Sequence, residues 1–227
     1  MKTAAALAHS HPGAAEGGNP REVGLADSPR RIAMVAACPF PSVQGSQVLI
    51  QELVTGLAAR GHRIDLVTYP FGAKTGWRPP EGCRIHRAPL SLRYSAHHPG
   101  FHFWKPFLDV ALARLLAEVV LRQGADLIHA HSFEGLAAAL WAKRKHRVPV
   151  LYHSHTLLGE ELPTYYRPAL GRKLAGWAGR AADRWLPRRA DHCIALSLRA
   201  ARAFRDMGVP EDRISYLPPV VFPPGPP

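Results

Sequence analysis

"RIAMVAACPFPSVQGSQVLIQELVTGLAARGHRIDLVTY" runs from Arg31 to Tyr69, and how it reads decides the fold. "IAMVAA" is a short apolar run ended by "CPFP", which marks a buried strand and then a loop. From Ser46 to Arg60, Leu49, Leu53 and Leu57 recur at four-residue spacing with Ile50 and Val54 beside them. That is one helical stripe. Gly61 closes it in the position where a helix end favours glycine. "RIDLVTY", Arg63 to Tyr69, is the next strand.

The alternation continues downstream. "RIHRA" (Arg84 to Ala88) is a short strand, followed by a loop rich in aromatics and histidine, "SLRYSAHHPGFHFWKP". Pro106 to Gln123 reads as a helix with Leu108, Leu112, Leu115 and Val119 on one side. "ADLIHAH" is a strand, Phe133 to His146 a helix, "VPVLYHSH" a strand and Pro168 to Arg189 a long basic helix. "DHCIALS", then Leu198 to Met207 as a helix, then "DRISYL" complete the series. Such alternation implies an α/β fold: a Rossmann-like parallel sheet with helices on both faces and right-handed crossovers. Residues 1–29 are expected to form a disordered leader rich in Ala, Gly and Pro. Residues 30–217 form the domain. The tail at 218–227 holds six prolines among ten residues and cannot continue a sheet.

The bulk numbers narrow the partners. Of 227 residues 47% are hydrophobic, enough for a sizeable core, and 29 Lys+Arg against 17 Asp+Glu leave a formal charge of +12. That balance favours nucleotide phosphates, anionic lipid or nucleic acid. The three cysteines, Cys38, Cys83 and Cys193, are widely spaced with no CxxC. They argue against a disulfide framework and for a reducing compartment. No apolar stretch reaches the ~18–20 residues that span a bilayer, and the first residues are too weak for a secretory signal. A cytoplasmic protein is expected.

Ligands of such sheets bind beyond the carboxyl ends of the strands, and here those ends are polar. The first ends at "CPFPSVQGS", with Gly45 and Ser46 at the start of a helix whose free N–H groups suit a phosphate. The fourth ends at His129 and His131, the fifth at His153 and His155, the sixth at Ser197. Histidines at i and i+2 share one strand face and could chelate a metal. No HExxH and no DxD accompanies them, so no metal is expected. The fifth strand is expected to give out near Ser154, leaving His155 on the cleft and His153 packed inside. Glu160 and Glu161 either cap a helix turn or bind sugar hydroxyls. "KRKHR" (Lys143 to Arg147) fits a helix C-terminus better than a nucleic-acid patch, because no interleaved aromatics accompany it. On the basic helix, Leu170, Leu174, Trp177, Ala181 and Trp185 share one face. They suit either a membrane surface or the core, and the core is the expected direction.

"CPFPSVQGSQVLIQELVTGLAARGHRIDLVTY", "ADLIHAHS", "VPVLYHSHTLLGEELPTYY" and "ADHCIALSLRAARAFRDMGVPEDRISYLPP" together resemble family 4 glycosyltransferases, over about residues 31–219 and in the family's order. The resemblance implies one half of a GT-B architecture, two Rossmann-like domains facing across a cleft. It implies transfer of a sugar, with retention, from a nucleotide-sugar to an acceptor, with no cofactor beyond that donor. Gly45 and Ser46 match the family's loop beside the donor diphosphate. His155 matches the histidine implicated at the donor sugar and in catalysis. His131, Glu160, Tyr165 and Tyr166 are candidate substrate contacts. The family keeps most donor-binding groups in a C-terminal domain, and the proline-rich tail stands where the interdomain linker is expected. The implied partners are a nucleotide-sugar, a carbohydrate or lipid-linked acceptor and a separate C-terminal domain. Apart from the resemblance, the charge clustering of the basic helix and the aromatic loop suggest weak, salt-sensitive attachment to an anionic membrane at the inner face. No nucleic acid is implied. Two other readings stay open: a non-catalytic binding module on the same rim, and a metal-dependent hydrolase using the histidine pairs.

Overall fold

The computed structural model describes residues 28–89 and 105–219. The expected leader, the aromatic loop and the proline-rich tail lie outside the described residues, save 28–29, 105–106 and 218–219. The strands are β1 (Arg31–Ala36), β2 (Arg63–Thr68), β3 (Cys83–Arg87), β4 (Leu127–His131), β5 (Val150–Ser154), β6 (His192–Ala195) and β7 (Ile214–Tyr216). The helices are α1 (Gly45–Ala59), α2 (Lys105–Gln123), α3 (Ser132–His146), the short α4 (Leu158–Glu161), α5 (Ala169–Trp185) and α6 (Leu198–Asp206).

All seven strands join one sheet in the order β3-β2-β1-β4-β5-β6-β7, and every pairing is parallel. The period-two alternation of strand side chains then builds two apolar layers. Met34 and Ala36 of β1 with Ile64 and Leu66 of β2 pack under Ile50 and Val54 of α1. Ala33 and Val35, with Val67, Ile128, Ala130 and Tyr152, face the opposite layer, which takes in Leu108, Leu112 and Leu116 of α2, Leu136 and Ala139 of α3 and Phe204 of α6. Burying one such leucine is worth roughly 1.5–3 kcal/mol. Gly61 takes φ +84 just past α1, and its N–H closes onto the Ala58 carbonyl at 2.9 Å. A side chain would be strained there.

Three expectations about the helices are corrected. On α2 it is Leu116, one residue beyond Leu115, that is fully buried; Leu115 sits at the margin of the core. The basic helix stops at Trp185 and continues as a short 3-10 turn, Pro187–Arg189, because a proline lacks the N–H and crowds the carbonyl four residues back. The face of α5 that packs inward is Ala175, Gly176, Gly179 and Asp183. Leu170, Leu174, Trp177 and Trp185, expected in the core, are exposed. Small residues won because α5 lies backbone to backbone on α4. A Cβ on Gly179 would stand 2.6 Å from the Leu158 carbonyl oxygen.

Candidate functional site

β1 and β4 are neighbours, yet the chain leaves them in opposite directions, from β1 through α1 to β2 and from β4 through α3 to β5. Divergence of that kind opens a crevice above the strand ends. On one lip, α1 begins at Gly45 with no side chain capping its first turn. Gly45 is exposed with open space around it, so its backbone can approach an anion. Ser46 lies beside it and donates to Gln47 Oε1 at 2.8 Å.

On the other lip stand the histidines. β4 and β5 pair in parallel with His131 opposite His153. Three rings, of His129, His131 and His153, therefore lie on one sheet face, and His155 joins them from one residue past the end of β5. His129 Nε2 and His153 Nδ1 are 3.3 Å apart, and His131 Nδ1 and His155 Nε2 are 3.1 Å apart. β5 ends at Ser154 as expected, with His153 buried and His155 partly exposed, although their rings still stack at 5.3 Å. Among the described residues, the buried Nε2 atoms of His131 and His153 have no hydrogen-bond partner. Burial pulls His129 and His155 down to about 4 and His153 to about 3, and lowers His131 well below its ordinary value, with the neighbouring imidazoles adding to the effect. All four are neutral at pH 7. Ser132 takes φ +63 directly after His131, a costly conformation of about 1–3 kcal/mol for such a residue. It turns β4 into α3 without a loop.

Could the rings hold a metal? Nitrogens of His129, His131 and His153 lie within 4.8 Å of one another, and neutral imidazole is a good ligand. The ring planes argue otherwise. A metal binds in the plane of an imidazole, but His129 and His131 stack face to face, 4.4 Å apart and inclined by 27°. An ion in the plane of one ring lies off the plane of the other. The set fits a stacked hydrogen-bonding array better than a coordination shell.

His155 opens into a cavity of about 370 Å³ lined by Thr156, Leu157, Glu160, Glu161, Ser197 and Arg199 among others. The cavity wall depends on Asp183 of α5. Its carboxylate accepts from the N–H groups of Leu158 and Gly159 at 3.0 and 2.7 Å and so holds α4, which carries both glutamates. Glu160 pairs with Arg199 at 2.5 Å. Glu161 accepts hydrogen bonds from Thr156 and Tyr165. Ser197 caps α6 through Ala200 N at 3.1 Å.

The other expected contacts fall differently. His131 is fully buried beneath His155 and reaches the cavity only through it. Tyr165 is exposed and meets the site through Glu161. Tyr166 turns away, its ring against Gly171 of α5. The sequence reading missed Arg199, and it missed a second polar knot on the β1/β4 side. There Lys105 bridges Glu134 at 2.5 Å and Asp109 at 3.6 Å, and the Tyr69 hydroxyl donates to Asp109 at 2.5 Å. Glu134, in the first turn of α3 and three residues after His131, was the available signal. Cys38 is held as a thiol, pushed up to about 12 by burial and then by Glu134. The cysteines are free.

Comparison with known proteins adds the family. Residues 44–219 match the glycosyl transferase 4-like domain. One chain of the human phosphatidylinositol N-acetylglucosaminyltransferase is 27% identical over 131 residues, 56% of this chain and 26% of that protein. Sucrose-phosphate synthase from Thermosynechococcus elongatus superposes with a TM-score of 0.63 at 14% identity, over 83% of this chain and 48% of its own. An Anabaena protein, HepE, solved with UDP and glucose, gives 0.55 at 16% identity, over 84% of this chain and 44% of its own. At these identities the two structures carry the fold alone, and the chain spans under half the length of each of these proteins. No helix among the described residues is long and apolar enough to cross a membrane. Over residues 44–219 this chain belongs to the glycosyl transferase 4-like family, and its seven-stranded parallel sheet has the fold of the N-terminal half of GT-B glycosyltransferases.

Proposed function

We propose that the chain is the acceptor-side half of a retaining hexosyl transferase. It takes the sugar of a nucleotide-sugar and passes it to a carbohydrate or lipid-linked acceptor on the cytoplasmic side. The observation that carries this is His155: a neutral imidazole at the tip of β5, opening into a cavity walled by two glutamates, Arg199 and Ser197. Its Nε2 is engaged by His131, which leaves Nδ1 to hydrogen-bond a sugar hydroxyl. The uncapped start of α1 at Gly45 and Ser46 suits the donor diphosphate. The HepE complex with UDP and glucose and the human N-acetylglucosaminyltransferase chain support a nucleotide-sugar donor. The reading needs no resident metal, in keeping with the stacked ring planes. The donor's other wall belongs to a second domain, and one wall alone cannot exclude water from the reacting centre. The isolated 227-residue chain is therefore expected to be inactive.

The test is sugar transfer in a protein that joins this domain to a donor-binding half. His155→Ala should lower turnover by about a hundredfold or more, the scale of a positioned polar group in proton transfer. His153→Ala should lower stability and leave turnover per folded molecule nearly intact. Equal losses at equal folded fraction would overturn the assignment and favour a non-catalytic binding module.

A further inference from the structure

We propose that the outer face of α5 is a docking surface for an anionic lipid bilayer. A helix turns 100° per residue, so Leu170, Leu174, Trp177, Ala181 and Trp185 form one stripe. That stripe lies diametrically opposite the face at Ala175, Gly179 and Asp183 that α5 packs on α4. The stripe is exposed: Leu170 by 69%, Leu174 by 60%, Trp177 by 69% and Trp185 by 50%. A solvated helix places its polar residues at that pole. This one places its largest apolar residues there, with Lys173, Arg180 and Arg184 along one flank.

Those charges are of one sign. Between residues 167 and 190 there are seven basic residues and a single acid, Asp183. Asp183 is buried and committed to the N–H groups of α4. Lys173 and Arg184 border the stripe, and the guanidinium of Arg189 lies over the Trp185 ring at 3.4 Å. Leucines that insert, tryptophans that favour the headgroup level and a basic border are the chemistry of a helix lying in a membrane interface. A protein partner would need acids facing that border; an anionic headgroup layer supplies them everywhere. The inference is independent of sugar transfer, but it has a geometric consequence. Asp183 ties α5 to α4, so a bilayer against the stripe lies one helix layer from the cavity that Glu160 and Glu161 line.

The experiment is flotation of the purified chain with phosphatidylcholine vesicles, with and without phosphatidylglycerol, at low and high salt. Binding is expected only with phosphatidylglycerol. It should weaken as salt shortens the Debye length from about 10 Å at 0.1 M to about 3 Å at 1 M. Leu174→Ser/Trp177→Ser should lose at least about tenfold in affinity, and Lys173→Glu/Arg184→Glu likewise. Both pairs are exposed, so melting should match the parent, and the charge pair serves as the second probe if the apolar pair misfolds. No flotation at low salt would overturn the proposal, as would double variants that bind like the parent. Self-association in the absence of lipid that Leu174→Ser/Trp177→Ser abolishes would overturn it in favour of a second copy of the chain.

Discussion

Met34 and Ala36 on β1 stand beside His129 and His131 on β4, register partners on the same face of one sheet. Both pairs are buried. Met34 and Ala36 belong to an apolar cluster with Ile64 and Leu66 of β2 and Ile50 and Val54 of α1. His129 and His131 meet His153 and His155, and two of those rings keep an unpartnered nitrogen. Equal burial with opposite chemistry shows that the layer needed apolar side chains on one side of the crevice and tolerated polar ones on the other. An unsatisfied buried polar group costs roughly 1–3 kcal/mol. The histidine side is therefore stability given up beside the cavity that His155 lines.

Acid should separate the two sides most strongly. A base held below its ordinary value carries fewer protons folded than unfolded. Stability from the four histidines is then complete above about pH 6.5 and is lost as pH falls toward 4, the folded value of His129 and His155. Each histidine contributes a slope of about 1.4 kcal/mol per pH unit in that window. Urea melts between pH 7 and 4.5 should show a fall of several such increments; a flat profile would mean that the cluster is open to protons in the folded state.

Next in size, Met34→Ala should cost about 2–5 kcal/mol, and the same amount at pH 7 and pH 5. A cost that grew with acidity would tie the apolar side to the histidines. Smaller again, His129→Leu should cost about 1–3 kcal/mol at pH 7, because it strands His153 Nδ1. Adding His153→Leu should recover part of that loss, since removing both partners of a buried hydrogen bond is far cheaper than removing one. A double variant less stable than the single would show that the rings support the core by packing. The smallest effect belongs to the rim: His155→Ala should change stability by less than about 1 kcal/mol, since water in the cavity can serve His131 Nδ1. Thermal melts suffice to check it.

Much of this molecule was legible in the chain. "IAMVAA" and "RIDLVTY" are apolar runs flanked by turn signals, and the stripe Leu49, Leu53, Leu57 has a helix's period. Local periodicity fixes element type whatever the neighbours do, and their alternation implies a parallel sheet. The end of β5 at Ser154 and the polar strand ends were legible for the same reason. The partners of those polar residues were not. That His131 meets His155 depends on the β4–β5 register, and that Glu160 meets Arg199 depends on α4 and α6 being brought to one cavity. Pairings across 24 and 39 residues have no local signature.

The helix α5 marks the same boundary. Its sequence determined by itself that Leu170, Leu174, Trp177 and Trp185 share one face, because that follows from 3.6 residues per turn. Which way the face points was decided only by tertiary structure. Periodicity locates a stripe but says nothing of what it meets. Here the glycines at 159 and 179 let two backbones approach to within van der Waals contact, and Asp183 found two N–H groups to satisfy. Close packing and a satisfied buried carboxylate on one side outweighed the gain from burying leucine and tryptophan on the other.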